Sequence, residues 1–528
     1  MTSRGAEAEQ VNSGGRQIAK AAPLVMALFL VSRVLGMLRQ VTISAMFGTS
    51  SALDTYVLAS RIPEAIFLIV AGGALGSAFI PAFADHLSKE NRMGAWRLAS
   101  AVINLTLIAL TVAAALAALF APALVRTILA PGFDPAQQAL TARLLRLMLI
   151  SSVIFGVSGI VMGVLNAHQH FLLPALAPSV YNLSIIAGAL LLGPRVGVVG
   201  LAIGVVVGAA LHLLVQMPGL LRHRARYVPI LGLDIPGVRE VGRLMAPRVL
   251  GTAITQLNFI INNSLASGLG EGAVSAINYA WILMLLPQGI FAQAVGTAAF
   301  PTFAAQVARG ERAEMRSTLA ATLRAVFFLC LPATVGLLTL GRPLVALLFE
   351  RGMFEASSTE AVAWALAFYA LGLVGHAGLE IIARAFYALH DTFTPVWVGG
   401  LAVGVNVALS LTLPGTFEWL GRPAHAGLAL ANSIATLLEL VLLLVLIRRR
   451  MGGIEGRRTL IAFAKGGSAA LAMGAVLLVW RAALPGMGAL VMGGGGVLLG
   501  AVAYLGAALV LRVEELQVVT RFLRRRPA

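Results

Sequence analysis

The sequence predicts an all-α polytopic membrane protein with about fourteen transmembrane helices. Three observations lead to this fold class. Of the 528 residues, 59% are hydrophobic and 12% are charged, whereas a soluble domain carries about 25% charged residues. The chain divides into apolar runs of about 20 residues or more, which is the length that crosses a bilayer. Arginines are concentrated in alternate loops between these runs, as the positive-inside rule describes.

The predicted spans follow one another along most of the chain. Their approximate limits are 22–47, 52–84, 97–129, 138–165, 172–193, 196–221, 243–268, 273–304, 318–348, 358–389, 394–413, 424–447, 459–483 and 488–513. With a cytoplasmic N-terminus, the outer loops contain few basic residues beyond Arg195, Arg351 and Arg422. We therefore expect both termini in the cytoplasm. We also attribute the net charge of +17 to topology and to the anionic membrane surface, not to nucleic acid.

An internal repeat divides the predicted spans into two lobes. Residues 33–36 (RVLG) recur at 248–251, residues 62–67 (IPEAIF) resemble 286–291 (LPQGIF), and 79–83 (FIPAF) resemble 300–303 (FPTF). Six spans separate the two copies, so both copies have the same orientation in the membrane. The sequence thus predicts two six-helix lobes related by a pseudo-twofold axis along the membrane normal, plus two extra C-terminal helices.

The domain limits follow from this repeat. The predicted segments are a cytoplasmic N-terminal tail (1–21), an N-lobe (22–221), a cytoplasmic linker (222–242), a C-lobe (243–447), a basic cytoplasmic loop (448–458), the two extra helices (459–513) and a basic cytoplasmic tail (514–528). Two bundles that face each other enclose a cavity, which transporters use for alternating access. For the linker, a surface segment is favoured over a short interfacial helix.

The first two spans carry charges at positions where a lipid-facing helix would carry none. A charge at membrane depth costs about 2.5–3.5 kcal/mol, so such side chains usually face a partner or a wet cavity. One interpretation is a positive cavity wall for an anionic head group, because guanidinium groups bind phosphate oxygens in a bidentate fashion. The other is a salt-bridge set that locks the two helices. Three arginines against two carboxylates leave one positive charge, which favours the first interpretation. The residues are Arg33, Arg39, Asp54, Arg61 and Glu64, and Arg248, the repeat-mate of Arg33, is a candidate for the opposite wall.

A second candidate site lies in the tenth span. His376, Glu380 and Arg384 are spaced i, i+4 and i+8 on one helix. They indicate either a protonatable site that couples transport to a proton gradient or, as the favoured alternative, a neutralised ion pair. We find no metal-ligand spacing, no nucleotide-binding motif and no nucleophile elbow. The sequence therefore predicts a protein that is not an enzyme and has no cofactor or metal.

Several motifs resemble a known family. Residues 32–36 (SRVLG), then Arg39, Phe47, Asp54 and 62–63 (IP), are similar to the opening of the MurJ/MviN family of lipid II flippases. Further family motifs are 130–133 (APGF), 351–354 (RGMF), 384–389 (RAFYAL) and 391–395 (DTFTP). The resemblance covers roughly residues 20 to 450.

The resemblance implies two lobes around a central cavity, with the last two helices forming a groove for a lipid tail. It places the chain in the superfamily that also holds multidrug antiporters and polysaccharide exporters. The implied function is movement of an undecaprenyl-diphosphate-linked peptidoglycan precursor from the inner to the outer leaflet of a bacterial inner membrane. Arg33, Arg39 and Asp54 match functional positions of the family. The implied partners are this lipid-linked anionic glycan precursor, membrane lipids and cell-wall synthesis proteins.

The sequence departs from the family pattern at three places. Gln40 replaces a commonly acidic residue, Phe67 or Leu68 occupies the place of a cavity arginine, and residues 281–282 (WI) occupy the place of an Asp-Arg pair. Two alternatives therefore remain open. One is an exporter of another polyprenyl-linked glycan or a small-molecule antiporter. The other is a pseudo-flippase that scaffolds cell-wall synthesis without transport.

Overall fold

The computed structural model describes residues 3–71, 74–89 and 91–516. Side chains are described from residue 24 onward, except at 67, 69–78, 90, 236, 244, 246–252, 254–255 and beyond 516. Throughout these residues the regular secondary structure is helical, which confirms the predicted fold class. The chain forms two compact units, Met1–Gly268 and Leu269–Ala528.

Unit 1 contains eleven α-helices among its described residues. They are α1 (Ser3–Phe47), α2 (Ser51–Ala71), α3 (Ala74–Ser88), α4 (Arg92–Leu119), α5 (Ala121–Leu124), α6 (Pro135–Ala167), α7 (Leu172–Ala187), α8 (Gly193–Val196), α9 (Val199–Leu214), α10 (Met217–Arg222) and α11 (Pro236–Ala266). Local chemistry fixes the helix starts. The Asn91 side chain accepts a hydrogen bond from the Gly94 N–H, and Asp134 and Gln137 form a capping box at α6.

The first two helices of unit 1 pack against different neighbours. Helix α1 packs against α7, whereas α2 packs against α6 and α11. Helix α6 is central, since it also contacts α4 and α9. Helices α1 and α2, which contain the charged residues of the first two predicted spans, therefore share a turn but have different packing partners.

The linker between α10 and α11 is an extended segment held on α4. The Tyr227 hydroxyl donates to Asn104 Oδ1 at 2.6 Å, and Asn104 Nδ2 donates to the Ile230 carbonyl at 2.8 Å. The Val228 N–H donates to Ser100 Oγ at 3.0 Å. These bonds satisfy backbone groups of a segment that has no helix or sheet partner.

Unit 2 contains eight α-helices among its described residues. They are α12 (Ala273–Pro287), α13 (Ala294–Ala308), α14 (Arg312–Phe349), α15 (Ala356–Ala388), α16 (Phe393–Trp419), α17 (His425–Met451), α18 (Gly456–Ala483) and α19 (Gly496–Val510). Helix α15 packs against α12, α14 and α17, and α18 packs against α14 and α19. The last phenylalanine of the repeated motif is fully buried in each unit, as Phe83 of α3 and as Phe303 of α13. The first phenylalanine differs, since Phe79 is fully buried and Phe300 is 38% exposed.

Twelve helical segments of the described chain are long and apolar enough to cross a membrane. The predicted spans 52–84 and 243–268 are not among them. In the first, the described residues belong to α2 and α3, and residues 72–73 lie outside the described residues. The count of about fourteen and the predicted domain limits therefore stay predictions. Helix α11, which the sequence assigns to the second lobe, lies in unit 1.

Candidate functional site

Arg39 and Arg61 lie at similar distances from the turn between α1 and α2. Gly48 ends α1 with φ +59°, a left-handed conformation that favours glycine. Gln137 Nε2 donates to Ser51 Oγ at 2.5 Å, which ties the start of α2 to α6. Arg39 lies nine residues before Gly48, and Arg61 lies ten residues after Ser51. At 1.5 Å per residue, both lie about 14 Å from the turn along their helices.

Arg33 and Arg39 lie in the same helix and differ in exposure. Neither arginine forms an ion pair with any residue that the structure describes. Arg33 is exposed, and Asn182 Nδ2 of α7 donates to the neighbouring Ser32 carbonyl at 3.4 Å. Arg39 is half-buried, and its buried Nε has no hydrogen-bond partner among the described groups. A buried guanidinium N–H without a partner can donate to an anionic ligand.

Two tyrosines accompany Arg39. The hydroxyls of Tyr56 on α2 and Tyr181 on α7 both lie within electrostatic range of Arg39 and of Glu64. Tyr181 also packs edge-on against Phe155 of α6, with ring centroids 5.1 Å apart. Helices α1, α2, α6 and α7 thus bring a cation, a carboxylate and two hydroxyls into one region of unit 1. Tyr181 could not be predicted from the sequence, because only the packing of α7 against α1 brings it close to Arg39.

One of the two carboxylates of α2, Glu64, forms its ion pair within that helix. Arg61 Nη1 lies 3.2 Å from Glu64 Oε2, so this ion pair forms within α2. Asp54 is 1% exposed and lies in the first turn of α2. A negative charge at this position interacts favourably with the helix dipole. The charges of Arg61 and Glu64 therefore cancel, while those of Arg33 and Arg39 remain. The predicted role of Arg248 stays a prediction, since its side chain on α11 lies outside the described residues.

His376, Glu380 and Arg384, the second predicted set, do not form one cluster in the structure. Arg384 Nη1 forms an ion pair with Glu380 Oε1, and Arg384 Nη2 lies 3.4 Å from Thr297 Oγ1 on α13. His376 instead faces α17, where its Nε2 lies 3.2 Å from Asn432 Oδ1 and 3.3 Å from Thr436 Oγ1. The ion pair thus forms as the spacing predicts, but His376 contacts a different helix. Proton coupling through these residues stays a prediction.

Unit 2 holds two further features near these residues that the sequence did not predict, namely the contacts of Trp281 and the carboxyl group of Glu439. Trp281 packs edge-on against both Tyr369 and His376. Glu439 lies within the apolar run of α17. The criterion that was applied to the first two spans, a charge inside an apolar run, would have identified this residue. Within the described residues, no three His, Cys, Asp or Glu side chains are placed to hold a metal ion.

The APGF motif has a clear structural role. The Gly132 N–H donates to Ser267 Oγ at 3.1 Å. A Cβ atom on Gly132 would lie 2.4 Å from the Gly268 Cα, so only glycine allows this close approach. The motif thereby joins the loop before α6 to the residues that follow α11 within unit 1.

Comparison with known proteins identifies the family. The family profile described as "Lipid II flippase MurJ" matches residues 43–491. A lipid II flippase MurJ of Burkholderia cenocepacia is 34% identical over 436 residues, which cover 81% of this chain and 83% of the relative. A probable lipid II flippase MurJ of Rhizobium tropici is 33% identical over 432 residues, covering 80% and 79%.

Solved structures show the same fold. The structure titled "Lipid II flippase MurJ, inward closed conformation" superposes with a TM-score of 0.77 at 24% identity, covering 93% of this chain and 99% of that one. An inward-facing multidrug transporter of the MATE family superposes with a TM-score of 0.68 at 17% identity, covering 81% and 95%. The profile match over most of the sequence and the 34% identity to a relative show that the chain belongs to the MurJ family of lipid II flippases.

Proposed function

We propose that this protein is a lipid II flippase that moves the undecaprenyl-diphosphate-linked peptidoglycan precursor from the inner to the outer leaflet of a bacterial inner membrane. The observation that carries the proposal is the pair Arg33 and Arg39. Their charges are not neutralised by any described residue, and both lie in a helix apolar enough to cross a membrane. A diphosphate offers the anionic oxygens that guanidinium groups bind best.

The neighbours of Arg39 suggest how the head group is held. The Arg39 Nε–H group is free to donate to one phosphate oxygen. The Tyr56 and Tyr181 hydroxyls can donate to a further phosphate oxygen. Asp54 and Arg61 then act as positioning residues at the start and middle of α2. Arg248 is a further candidate ligand on α11. We also propose that both termini are cytoplasmic and that cell-wall synthesis proteins are partners.

Depletion rescue tests this proposal. The gene is expressed in bacteria whose own lipid II flippase can be switched off, and growth is compared for the parent and for Arg33→Ala, Arg39→Ala and Asp54→Ala. Arg97→Ala is the matched control, because Arg97 is an exposed arginine near the start of α4. We expect the parent and the control to restore growth. Arg33→Ala, Arg39→Ala and Asp54→Ala should lose rescue at equal protein level.

The same experiment separates the alternatives. If the parent accumulates in the membrane and does not rescue, the protein is not a lipid II flippase in that host. If the parent and the arginine variants rescue equally, the head-group role of Arg33 and Arg39 is wrong. Translocation of lipid II by the purified protein in vesicles then distinguishes a flippase from a scaffold, since a scaffold moves no lipid.

A further inference from the structure

Glu439 is a carboxyl group in the interior of α17, one of the helices apolar enough to cross a membrane. It lies eleven residues before Arg450, which forms an ion pair with Asp391 at the end of the helix. The rise of an α-helix places Glu439 about 16 Å from that ion pair. The side chain is therefore far from the charged end of α17 and is half-buried.

Glu439 has no partner in the part of the chain that the structure describes, where it forms neither an ion pair nor a hydrogen bond. Three other acidic side chains within helices do have an ion-pair partner. Glu64 pairs with Arg61, and Glu380 pairs with Arg384. Glu360, in the first turns of α15, pairs with Arg342. An ionised Glu439 thus carries a negative charge that no neighbouring cation balances by contact.

The side chain of Glu439 packs against Gly399 of α16. A Cβ atom on Gly399 would lie 3.3 Å from Glu439 Oε1, so the carboxyl group rests directly against the backbone of α16. The ionisable side chain of α16 is Glu418, which lies near the opposite end of that helix. Helix α16 therefore brings no counter-charge to Glu439.

The other helices packed against α17 bring a polar layer with no net charge. On α15, Tyr387 lies within electrostatic range of Glu380, Arg384 and Glu439. His376 of α15 contacts Asn432 and Thr436, which share the face of α17 with Glu439 at a spacing of i, i+4 and i+7. On α12 the titratable side chain is Tyr279, which packs against Phe349 and Phe354. On α17 itself, His425 and Arg448 to Arg450 lie at the two ends.

We infer that Glu439 is the proton-binding group of this transporter. The carboxylate takes a proton from water and becomes a neutral carboxylic acid, and the reverse step releases the proton. Because Glu380 and Arg384 cancel, protonation changes the charge of this layer from −1 to 0. An intramembrane carboxyl group without a counter-ion is typical of proton relays in transporters. The coupling of this proton to lipid movement rests on the proposed flippase function, whereas proton binding itself does not.

Infrared spectroscopy tests proton binding without any transport. The reconstituted protein is titrated with acid and base, and the carbonyl band of a protonated carboxylic acid is followed. Glu439→Gln should lose a titrating component of this band that the parent shows, and Glu418→Gln, the matched control, should retain it. An unchanged titration in Glu439→Gln would overturn the inference.

Transport measurements test the coupling. Lipid II translocation by reconstituted protein is measured across a series of pH values for the parent, Glu439→Gln and Glu418→Gln. We expect the rate to depend on pH in the parent and in Glu418→Gln, and to lose that dependence in Glu439→Gln while lipid II binding is kept. A parent-like pH profile in Glu439→Gln would overturn the coupling. If the parent moves no lipid II, the proposed function fails, and the infrared titration still decides whether Glu439 binds a proton.

Discussion

The indole ring of Trp281 meets the imidazole ring of His376 edge-on, with ring centroids 5.3 Å apart and ring planes at 83°. Trp281 makes a second edge-on contact with Tyr369, also at 5.3 Å. Trp281 belongs to α12 and both of its partners belong to α15. At this position, where the family resemblance leads one to expect a charged residue, the chain has an aromatic side chain that joins two helices of unit 2.

Removing this side chain should lower the stability of unit 2. We expect Trp281→Ala to reduce the free energy of unfolding by about 1–3 kcal/mol, because each edge-on aromatic pair contributes about 0.5–1.5 kcal/mol. Trp281→Phe should keep most of the stability, since a smaller ring still reaches α15. Thermal unfolding of the detergent-solubilised protein measures both variants. Equal melting temperatures for the parent and Trp281→Ala would show that these contacts contribute nothing.

Features that depend on local sequence were predicted well. The tenth predicted span, 358–389, corresponds to α15 (Ala356–Ala388), because a long apolar run defines a helix without reference to its neighbours. The ion pair of Glu380 and Arg384 follows from their i, i+4 spacing, which places both side chains on one face.

Features that depend on packing were not predictable in the same way. Apolar helices carry no polar stripe that indicates which helices they pack against. The different packing partners of α1 and α2 could therefore not be predicted from the sequence. His376 and Arg384 are eight residues apart, which rotates one about 80° from the other around the helix. The two side chains therefore reach different helices, α17 and α13. The position of Tyr181 near Arg39 also depends on how α7 packs against α1.

The close approach of Gly132 to Gly268 predicts a sensitive position in unit 1. A methyl group on Gly132 would lie 2.4 Å from a backbone atom, which cannot move as a flexible side chain can. Overpacking of this kind is destabilising by about 1–3 kcal/mol, so Gly132→Ala should lower the melting temperature. Gly242→Ala is the control, because a Cβ atom there meets no atom within 4 Å. Alanine in that helix should be neutral or stabilising. The interpretation fails if both variants melt at the same temperature.

A buried arginine joins three segments of unit 2. Arg324 of α14 lies 3.2 Å from Glu455 and 3.2 Å from Glu515, and both Arg324 and Glu515 are more than nine-tenths buried. Glu455 also adopts a left-handed conformation, with φ +49°, immediately before α18. Because Arg324→Ala leaves a buried carboxylate without a partner, we expect a loss of about 3–5 kcal/mol of stability.

An exposed ion pair provides the control for Arg324. Arg342 and Glu360 lie 3.0 Å apart, with side chains that are 58% and 53% exposed. Solvent screens such a pair, so Arg342→Ala should change stability by less than about 1 kcal/mol. Chemical denaturation in detergent compares the two variants. A loss in Arg324→Ala no larger than that in Arg342→Ala would mean that the buried ion pairs do not stabilise unit 2.

Three histidines meet outside the membrane-spanning helices of unit 1. The ring centroids of His168 and His223 are 4.2 Å apart, and those of His170 and His223 are 5.9 Å apart. Burial lowers the pKa of both His170 and His223 below 6.5, and the positive charge of Arg222 lowers the pKa of each further. The folded protein therefore binds fewer protons here than the unfolded chain does near that pH.

This difference predicts that unit 1 is sensitive to acid. Stability from the neutral histidines is fully present above about pH 6.5, the value for an unperturbed histidine, and is lost as the pH falls towards the lower pKa of the folded state. We expect the melting temperature of the parent to fall between about pH 7 and pH 5. His223→Gln should reduce that slope, because it removes one titrating ring and its repulsion of His170. His390→Gln is the control, since His390 lies in the loop after α15 in unit 2. A slope in His223→Gln equal to that of the parent would assign the acid sensitivity to other groups.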